Sequence, residues 1–445
     1  MASDLLSIAA SGAKTARAAL EITSQNIANA SSQGYVRRSV ELSEVASPTA
    51  MGQIGDVSLS GVRLNRVVRN ADLFRLAEVR RTTSDVSRAN AELSGLENIE
   101  ASLENTKVYT TIIDFEASLE ALTSDPTNLS LRSSALERAQ TLARSFNLAA
   151  GALDSVRDGL QFNAAASVND VNVYAEELAR INLRLARAQN GSSDQSSLLD
   201  QRDLMLQKLS EHADISVTIA SDYTVEIRLG SGGAVPLVQG GTAAQLASTT
   251  AADGTLSFSV GGSPVTLSGG DLAGAAQALV HVRDTHAALD GIAAELVTTV
   301  NSIQTGGTAL DGSAGQPMFS GSGASDIAVT LASASGIATA PAGAPAGSRD
   351  AANLTALRTA LSTNDIAGDT NNLLFDISSK VFGRTTTRDA LVTIAASAKI
   401  ALSSQAGVDL DQEAVNLVRY QQAFQASGRA MQVATELFDT ILGIG

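Results

Sequence analysis

The sequence predicts an α+β chain, predominantly helical. Helices from the two termini pair as a coiled coil, a middle domain is built of long helices, and a small antiparallel β-domain is inserted. Three observations carry this. Apolar residues recur every seven positions at both ends of the chain. Only seven prolines occur in 445 residues, which permits long uninterrupted helices. Residues 213–270 switch to a two-residue period punctuated by glycine. The expected domains are a discontinuous terminal one (1–60 and 403–445), a helical middle (61–211 and 271–402) and a β-rich one (212–270).

The first helix is expected over residues 3–30. Leu6, Ala13, Leu20 and Ile27 are seven apart, with Ala9, Ala16, Thr23 and Ala30 at the companion positions. Leu5, Ile8, Ala19 and Ile22 widen the apolar face, leaving a narrow polar stripe through Ser7, Ser11, Lys14, Glu21 and Gln25. The far end repeats the design. Leu410, Leu417, Phe424, Met431 and Phe438 form the row, Leu442 continues the companion row, and Gln422, Gln425, Arg429, Gln432 and Glu436 form the stripe. Asp409 or Asp411 is placed to cap its start. Two such helices at opposite ends imply that they pair. Together they still leave apolar surface, so the expectation is that other subunits complete them and that the ends are poorly ordered in the monomer.

Between them, Ser31-Ser32-Gln33-Gly34-Tyr35 reads as a loop. Residues 36–70, with Gly52, Gly55 and Gly61, read as extended chain or a hairpin. Residues 72–105 return to helical period. Asp125-Pro126-Thr127-Asn128 marks a helix start, and helix continues to about 211 with breaks near 159 and 190. Ile215–Ile219, Tyr223–Leu229 and Leu256–Val260 alternate as strands. Residues 271–304 are helical. The Gly/Ala/Ser-rich stretch 305–348 holds one strand at Ile327–Leu331, and helix resumes over 349–363 and 372–404.

Composition excludes several functions. The formal charge is −15, from 46 acidic against 31 basic residues, and no basic run offsets it. Such a chain repels phosphate, so neither nucleic acid nor anionic lipid is an expected partner. Cysteine is absent, which rules out disulfides, thiol nucleophiles and Cys-ligated metals. Aromatic residues are only 3%, and the apolar content is mostly small and aliphatic, suited to closely packed helices. The N-terminus lacks a basic start and a long apolar segment, so it does not read as a cleaved signal peptide. No stretch is expected to insert in a membrane.

A search for chemistry finds little. His281 and His286 are five apart, off the spacing that aligns two ligands on a helix, and His212 falls at a helix end, where a charged His suits the dipole. No Gly-Lys pair exists, so no Walker loop does. Gly321-Ser322-Gly323 lies in a small-residue stretch rather than a strand-to-helix elbow. Asp222 and Glu226 suit a strand's solvent face. No catalytic, cofactor-binding or metal residue is expected.

The ends carry a resemblance. Asn26-Ile27-Ala28-Asn29-Ala30 followed by Gly34-Tyr35 resembles the N-terminal signature of axial flagellar proteins, the rod, hook and hook-associated subunits. Val408–Glu413, then Asn416-Leu417 and Tyr420–Ala426, resembles the matching C-terminal signature. Leu198-Leu199-Asp200-Gln201-Arg202-Asp203, Leu289–Ala293, Val300-Asn301, Gly312, Gly315 and Phe319 are similar to the hook–filament junction family within that group. The resemblance implies a structural, non-enzymatic subunit exported by the flagellar type III apparatus. Its C-terminal helix would be held in the cytoplasm by an export chaperone. Outside the cell, its partners would be the hook protein, the second junction protein and further copies of itself in a ring or helical layer. The assembly residues expected are Leu6, Leu20, Asn26, Ile27, Asn29, Tyr35, Leu410, Leu417, Phe424, Met431, Phe438 and Leu442. The chain is short for this family, with the deficit in the middle, so an outer domain is expected to be reduced or missing. The rival expectations are a hook or rod subunit, or a hydrolase displayed on the flagellum.

Overall fold

The structure, a computed structural model, describes residues 2–46, 59–230 and 232–442. Gly52 and Gly55 of the expected hairpin and the side chain of Leu442 lie outside the described residues. In chain order the elements begin with α1 (Ala2–Ala28), β1 (Arg38–Ala46), β2 (Leu59–Arg69), α2 (Leu73–Thr106), α3 (Val108–Ser124), α4 (Leu129–Leu185) and α5 (Ser193–His212). Strands β3 (Ile215–Ile219), β4 (Val225–Leu229), β5 (Val235–Gln239), β6 (Thr242–Ala243), β7 (Leu246–Thr250), β8 (Leu256–Val260) and β9 (Ser263–Val265) follow. Then come α6 (Gly270–Thr305), the two-residue strands β10 (Gly307–Thr308), β11 (Phe319–Ser320), β12 (Ala328–Val329) and β13 (Ala340–Pro341), and helices α7 (Ala352–Asn364), α8 (Ile366–Ala406) and α9 (Leu410–Leu442). The chain is predominantly helical with small antiparallel sheets.

Local chemistry explains the helix starts. Asn128 Oδ1 accepts the backbone N–H groups of Ser130 and Leu131, and Asp409 Oδ1 accepts those of Asp411 and Gln412, so each residue caps the helix that follows it. The break expected near 159 is absent, because α4 runs unbroken through Gly159. A helical glycine costs only about 1 kcal/mol, and the turns on either side bury Leu153, Ala164 and Val168. The break near 190 is present, ending α4 at Leu185.

Two compact units are formed. The terminal unit comprises Met1–Ser84, Asp170–Gln245 and Val392–Gly445; the helical unit comprises Asp85–Asn169 and Leu246–Leu391. The strands of the β-rich stretch divide accordingly into two sheets: β3-β4-β5-β6 in the terminal unit and β7-β8-β9 in the helical unit.

In the terminal unit α1 packs on α9. Asn26 meets Glu413, and a Cβ on Gly12 would lie 2.9 Å from Ser427 Oγ. Fourteen residues separate the contact points on each helix, in opposite senses, so the pair is antiparallel. The β1–β2 hairpin packs against α1, where Ser11 Oγ accepts the Val62 N–H. The four-stranded sheet is pinned by buried Asn182 of α4, which donates to the carbonyls of Val225 and Gly240 and accepts the Val225 N–H.

The helical unit has a continuous core of large side chains from α3, α4, α6, α7 and the loops after α6. Phe115, Leu119, Leu142, Phe146, Leu296 and Leu354 are fully buried, and Phe115 meets Phe319 edge to face at 6.0 Å. Asn301 accepts the N–H groups of Met318 and Phe319 and donates to the Phe319 carbonyl, fastening the loop to α6. Arg132, fully buried without a carboxylate, donates to Pro126 and Ile337 carbonyls and to Thr339 Oγ1. Burial lowers its pKa.

The expectation that no stretch is apolar enough to span a membrane meets one exception. Within the helical run Ala352–Thr440 one stretch has the length and composition to cross a bilayer, and it is mostly exposed. One such stretch is weak evidence of a span, because exposed apolar helices serve equally to bind other proteins.

Candidate assembly site

The signature segments converge in the terminal unit. Gly34, at φ 80°, takes a left-handed conformation that turns the chain after α1, with Leu204 of α5 against it. The turn brings residues 35–38 back past the end of the helix. Asn26, 1% exposed, then uses its whole amide. Its Oδ1 accepts the Tyr35 hydroxyl at 2.8 Å and the Arg38 N–H at 3.0 Å, and its Nδ2 donates to the Arg38 carbonyl at 2.8 Å and to Glu413 Oε2 at 3.1 Å. Glu413, in the first turn of α9, takes Arg37 Nε at 2.7 Å on its other oxygen. Asn29 donates to the Gln25 carbonyl and accepts from Ser32, closing the end of α1.

The second half of the site is a chain of ion pairs. Arg38 and Arg69 are opposite each other in the β1–β2 register, an arrangement of like charges that costs stability unless it is neutralised. Asp200 of α5 bridges them, with Oδ2 at 2.9 Å from Arg38 Nη2 and Oδ1 at 2.7 Å from Arg69 Nε. Arg69 Nη1 continues to Asp203 Oδ2 at 2.7 Å, Asp203 Oδ1 holds Arg202, and Arg202 Nη1 donates to the Tyr223 carbonyl. Every guanidinium and carboxylate from Arg38 to Arg202 is at most 13% exposed. Burial raises the pKa of Tyr35, with Asp200 and Glu413 adding to the rise and Arg38, 5.1 Å over its ring, opposing it. Arg80 is lowered, chiefly by burial, against the attraction of Asp203.

The expected assembly residues fall into two groups. Asn26, Asn29 and Tyr35 join the internal network just described. The apolar residues do not form a closed seam. Small residues of α1 turn inward, with Ala9, Ala13, Ala16 and Ala19 buried beside Ile22 and Thr23, while Leu6 (43%), Ile27 (37%), Leu410 (54%), Phe424 (43%) and Phe438 (48%) stay exposed. Leu20, Leu417 and Met431 are half-buried. At Gly12, where a Cβ would lie 2.9 Å from Ser427 Oγ, the two helices approach closely, while most of their large side chains stay at least partly exposed.

Arg37, Arg38, Arg69 and the ionic role of Asp200, Asp203 and Glu413 were not legible as a site. The signal was the pairing of Asp200 and Asp203 three apart on one helix face with arginines at both ends of a hairpin, and it emerges only once the register is known. The histidines hold the structure locally. His281 Nε2 lies 3.4 Å from Glu92, His286 Nδ1 lies 3.0 Å from Asp290, and His212 stacks on Tyr174. Asp222 accepts from Thr224 within a turn, and Glu226 pairs with Arg228. Among the described residues no group of three or more His, Cys, Asp or Glu could hold a metal ion.

Three family models match this chain. The helical domain of the flagellar hook-associated protein FlgK matches residues 93–319, the C-terminal model of flagellar basal body rod FlgEFG proteins matches 402–444, and the flagella basal body rod protein model matches 6–35. Flagellar hook-associated protein 1 of Escherichia coli K12 is 28% identical over 251 residues, covering 55% of this chain and 45% of the relative. Its counterpart in Bacillus subtilis 168 is 30% identical over 214 residues, covering 45% and 41%. The matched part thus spans less than half the length of these relatives. The solved structure of the flagellar hook junction protein FlgK from Burkholderia pseudomallei is similar at 25% identity, with a TM-score of 0.49 over 55% of this chain and 46% of that one. With the helical-domain model alone matching just over half of its residues, the chain belongs to the family of the flagellar hook-associated protein FlgK.

Proposed function

We propose that this chain is a structural subunit that joins the flagellar hook to the filament, and that it catalyses no reaction. The observation that carries the reading is the division of labour in the terminal unit. A buried network locks α1, the hairpin, α5 and α9 together, while the large apolar residues of α1 and α9 face outward. Such a surface suits completion by neighbouring helices. In this reading the terminal block, residues 1–60 with 403–445, polymerises. Leu6, Leu20, Ile27, Leu410, Leu417, Phe424, Met431, Phe438 and Leu442 contact neighbours. Asn26, Asn29 and Tyr35 act indirectly, by setting where α9 lies against α1.

The partners proposed are the hook protein on one side, the second junction protein on the other, and further copies of the chain in a ring or helical layer. Export through the type III apparatus, with a cytoplasmic chaperone on α9, precedes assembly at the extracellular flagellum. The exposed apolar stretch in the Ala352–Thr440 run is read as protein contact rather than a membrane span.

Immunogold labelling of isolated flagella tests this. The expected result is a single band of label between hook and filament, and deletion of the gene is expected to leave hooks bare while filament protein escapes into the medium. Label distributed along the hook or within the rod would replace the junction reading with that of a hook or rod subunit.

A further inference from the structure

The sequence contains one Asn-Gly step, Asn190-Gly191, in the break between α4 and α5. Gly191 stands at φ 75°, a left-handed conformation that glycine adopts without strain, and a Cβ there would lie 3.1 Å from Arg66 Cβ of the hairpin. The turn therefore needs glycine. That choice is a chemical liability, because an asparagine followed by a residue without a side chain is open to attack by the next backbone nitrogen. The Gly191 nitrogen loses its proton to hydroxide and bonds to Asn190 Cγ. The side-chain nitrogen takes a proton from water and leaves as ammonia, and a cyclic imide remains. Water then opens the imide at one carbonyl or the other, giving aspartate or isoaspartate. Asn190 is exposed, so water reaches the site.

We propose that Asn190 is a deamidation site and that Gln195 guards it. One carboxamide holds both reacting groups. Its Oε1 accepts the Gly191 N–H at 2.8 Å, and its Nε2 donates to Asn190 Oδ1 at 3.1 Å. The nitrogen that must lose its proton and the side chain that must swing over it are both tied, so ring closure has to break both bonds first. The guard itself is fixed in place. Gln195 is 6% exposed and is the third residue of α5, where Ser192 Oγ accepts its backbone N–H at 3.0 Å as the helix cap. In a capping box the glutamine side chain returns to the N–H of the capping residue; here it reaches one residue further, to Gly191. Loss of the guard has a mechanical result. Isoaspartate adds a methylene to the main chain just before α5, the helix that brings Asp200 and Asp203 to Arg69, and the close approach of Gly191 to Arg66 leaves little slack to absorb it. The proposal stands on this geometry and does not depend on the junction reading.

Purified chain aged at mildly alkaline pH, then digested for mass spectrometry, tests this; the readout is conversion of amide to acid at Asn190. Gln195→Leu and Gln195→Met each remove both hydrogen bonds and keep most of the bulk. Each is expected to speed conversion in the folded chain about tenfold, the order of effect of two neutral hydrogen bonds. In denaturant, where no guard operates, the variants and the unaltered chain are expected to convert at one rate. Exposed Asn163 of α4 serves as the internal control and should not respond. A variant that keeps the proteolysis pattern of the unaltered chain but converts no faster overturns the proposal. Slower conversion also overturns it, since Gln195 would then promote the attack. Amide exchange at Gly191 of the unaltered chain decides the matter without any variant: slow exchange is expected, and exchange as fast as in denaturant overturns the guard. Chain aged to isoaspartate should be cut faster over residues 190–212, and an unchanged pattern would overturn the mechanical part of the proposal.

Discussion

The two units bury different things. The helical unit hides large apolar side chains, among them Phe115, Phe146, Phe319, Leu96 and Ile112, all at most 1% exposed. The terminal unit has a smaller apolar cluster around Ile181, Leu185 and Leu198, but where α1 and α9 meet the hairpin and α5 it hides alanines, an asparagine, a glutamate and a string of arginine–aspartate pairs, and α1 and α9 leave much of their leucine and phenylalanine outside. Apolar burial is the main driving force of folding, whereas buried ion pairs contribute little net stability but cost a great deal when broken. The helical unit therefore carries its own stability. The terminal pair holds a specific geometry whose apolar surface is left for other chains to cover.

The largest expected effect separates the two kinds of burial. Phe115→Ala removes a fully buried ring, and its loss is expected to cost the helical unit about 3–5 kcal/mol, read from its unfolding transition in denaturant. A loss under about 1 kcal/mol would mean that this core is not close-packed. Asp200→Ala leaves Arg38 and Arg69 facing each other without their bridge. It is expected to cost about 3 kcal/mol, confined to the terminal unit and read as faster proteolysis of residues 29–45 and 190–212. An unchanged cleavage pattern would mean that the arginines find other partners.

Titration sharpens the contrast. Burial pushes the Glu92 pKa up, but the hydrogen bond from His281 and the charge of Arg384 outweigh it and hold the carboxyl below its ordinary 4.5. A depressed carboxyl stabilises the fold above pH 4.5 and loses that contribution as pH falls through its folded value. Tyr35 is raised above 10.0, so its contribution is intact below pH 10.0 and is lost as pH rises beyond it. Acid should thus weaken the helical unit through Glu92 and alkali the terminal unit through Tyr35. Stability curves of Glu92→Gln and Tyr35→Phe should flatten at opposite ends of the pH range, and flattening at the same end would contradict the assignment. The smallest effect is expected at the exposed rows. Phe424→Ala and Phe438→Ala should change monomer stability by no more than about 0.5 kcal/mol while reducing incorporation into flagella. Amide exchange in the monomer should be faster over α1 and α9 than in the helical unit, and slowest within the terminal pair around Asn26 and Glu413.

Much of the fold was legible because its periods are strong. The seven-residue rows located α1 and α9, the segment Asp125-Pro126-Thr127-Asn128 and the pair Asp409 and Asp411 marked two helix starts, and alternation found β3, β4 and β8. The division of the β-rich stretch into two sheets was not legible, since period reports how a strand is wetted and not which sheet it joins. The site was half legible. The signature residues were visible, but Leu6 and Phe424 are spaced like a seam and the structure leaves both exposed. The network was hidden because its members come from five distant segments, and no local pattern marks Arg69 as the partner of Asp200.

That dispersal has a consequence in time. Asn26 and Glu413 are 387 residues apart in the chain, and the contact between them cannot form before almost all of the polypeptide is available. The helical unit draws only on residues 85–391 and can consolidate first. Helix α1 must therefore wait for α9. A copy without α9, however well folded in its middle, never closes this clasp, so α1 presents its finished surface to neighbours only once α9 has joined it.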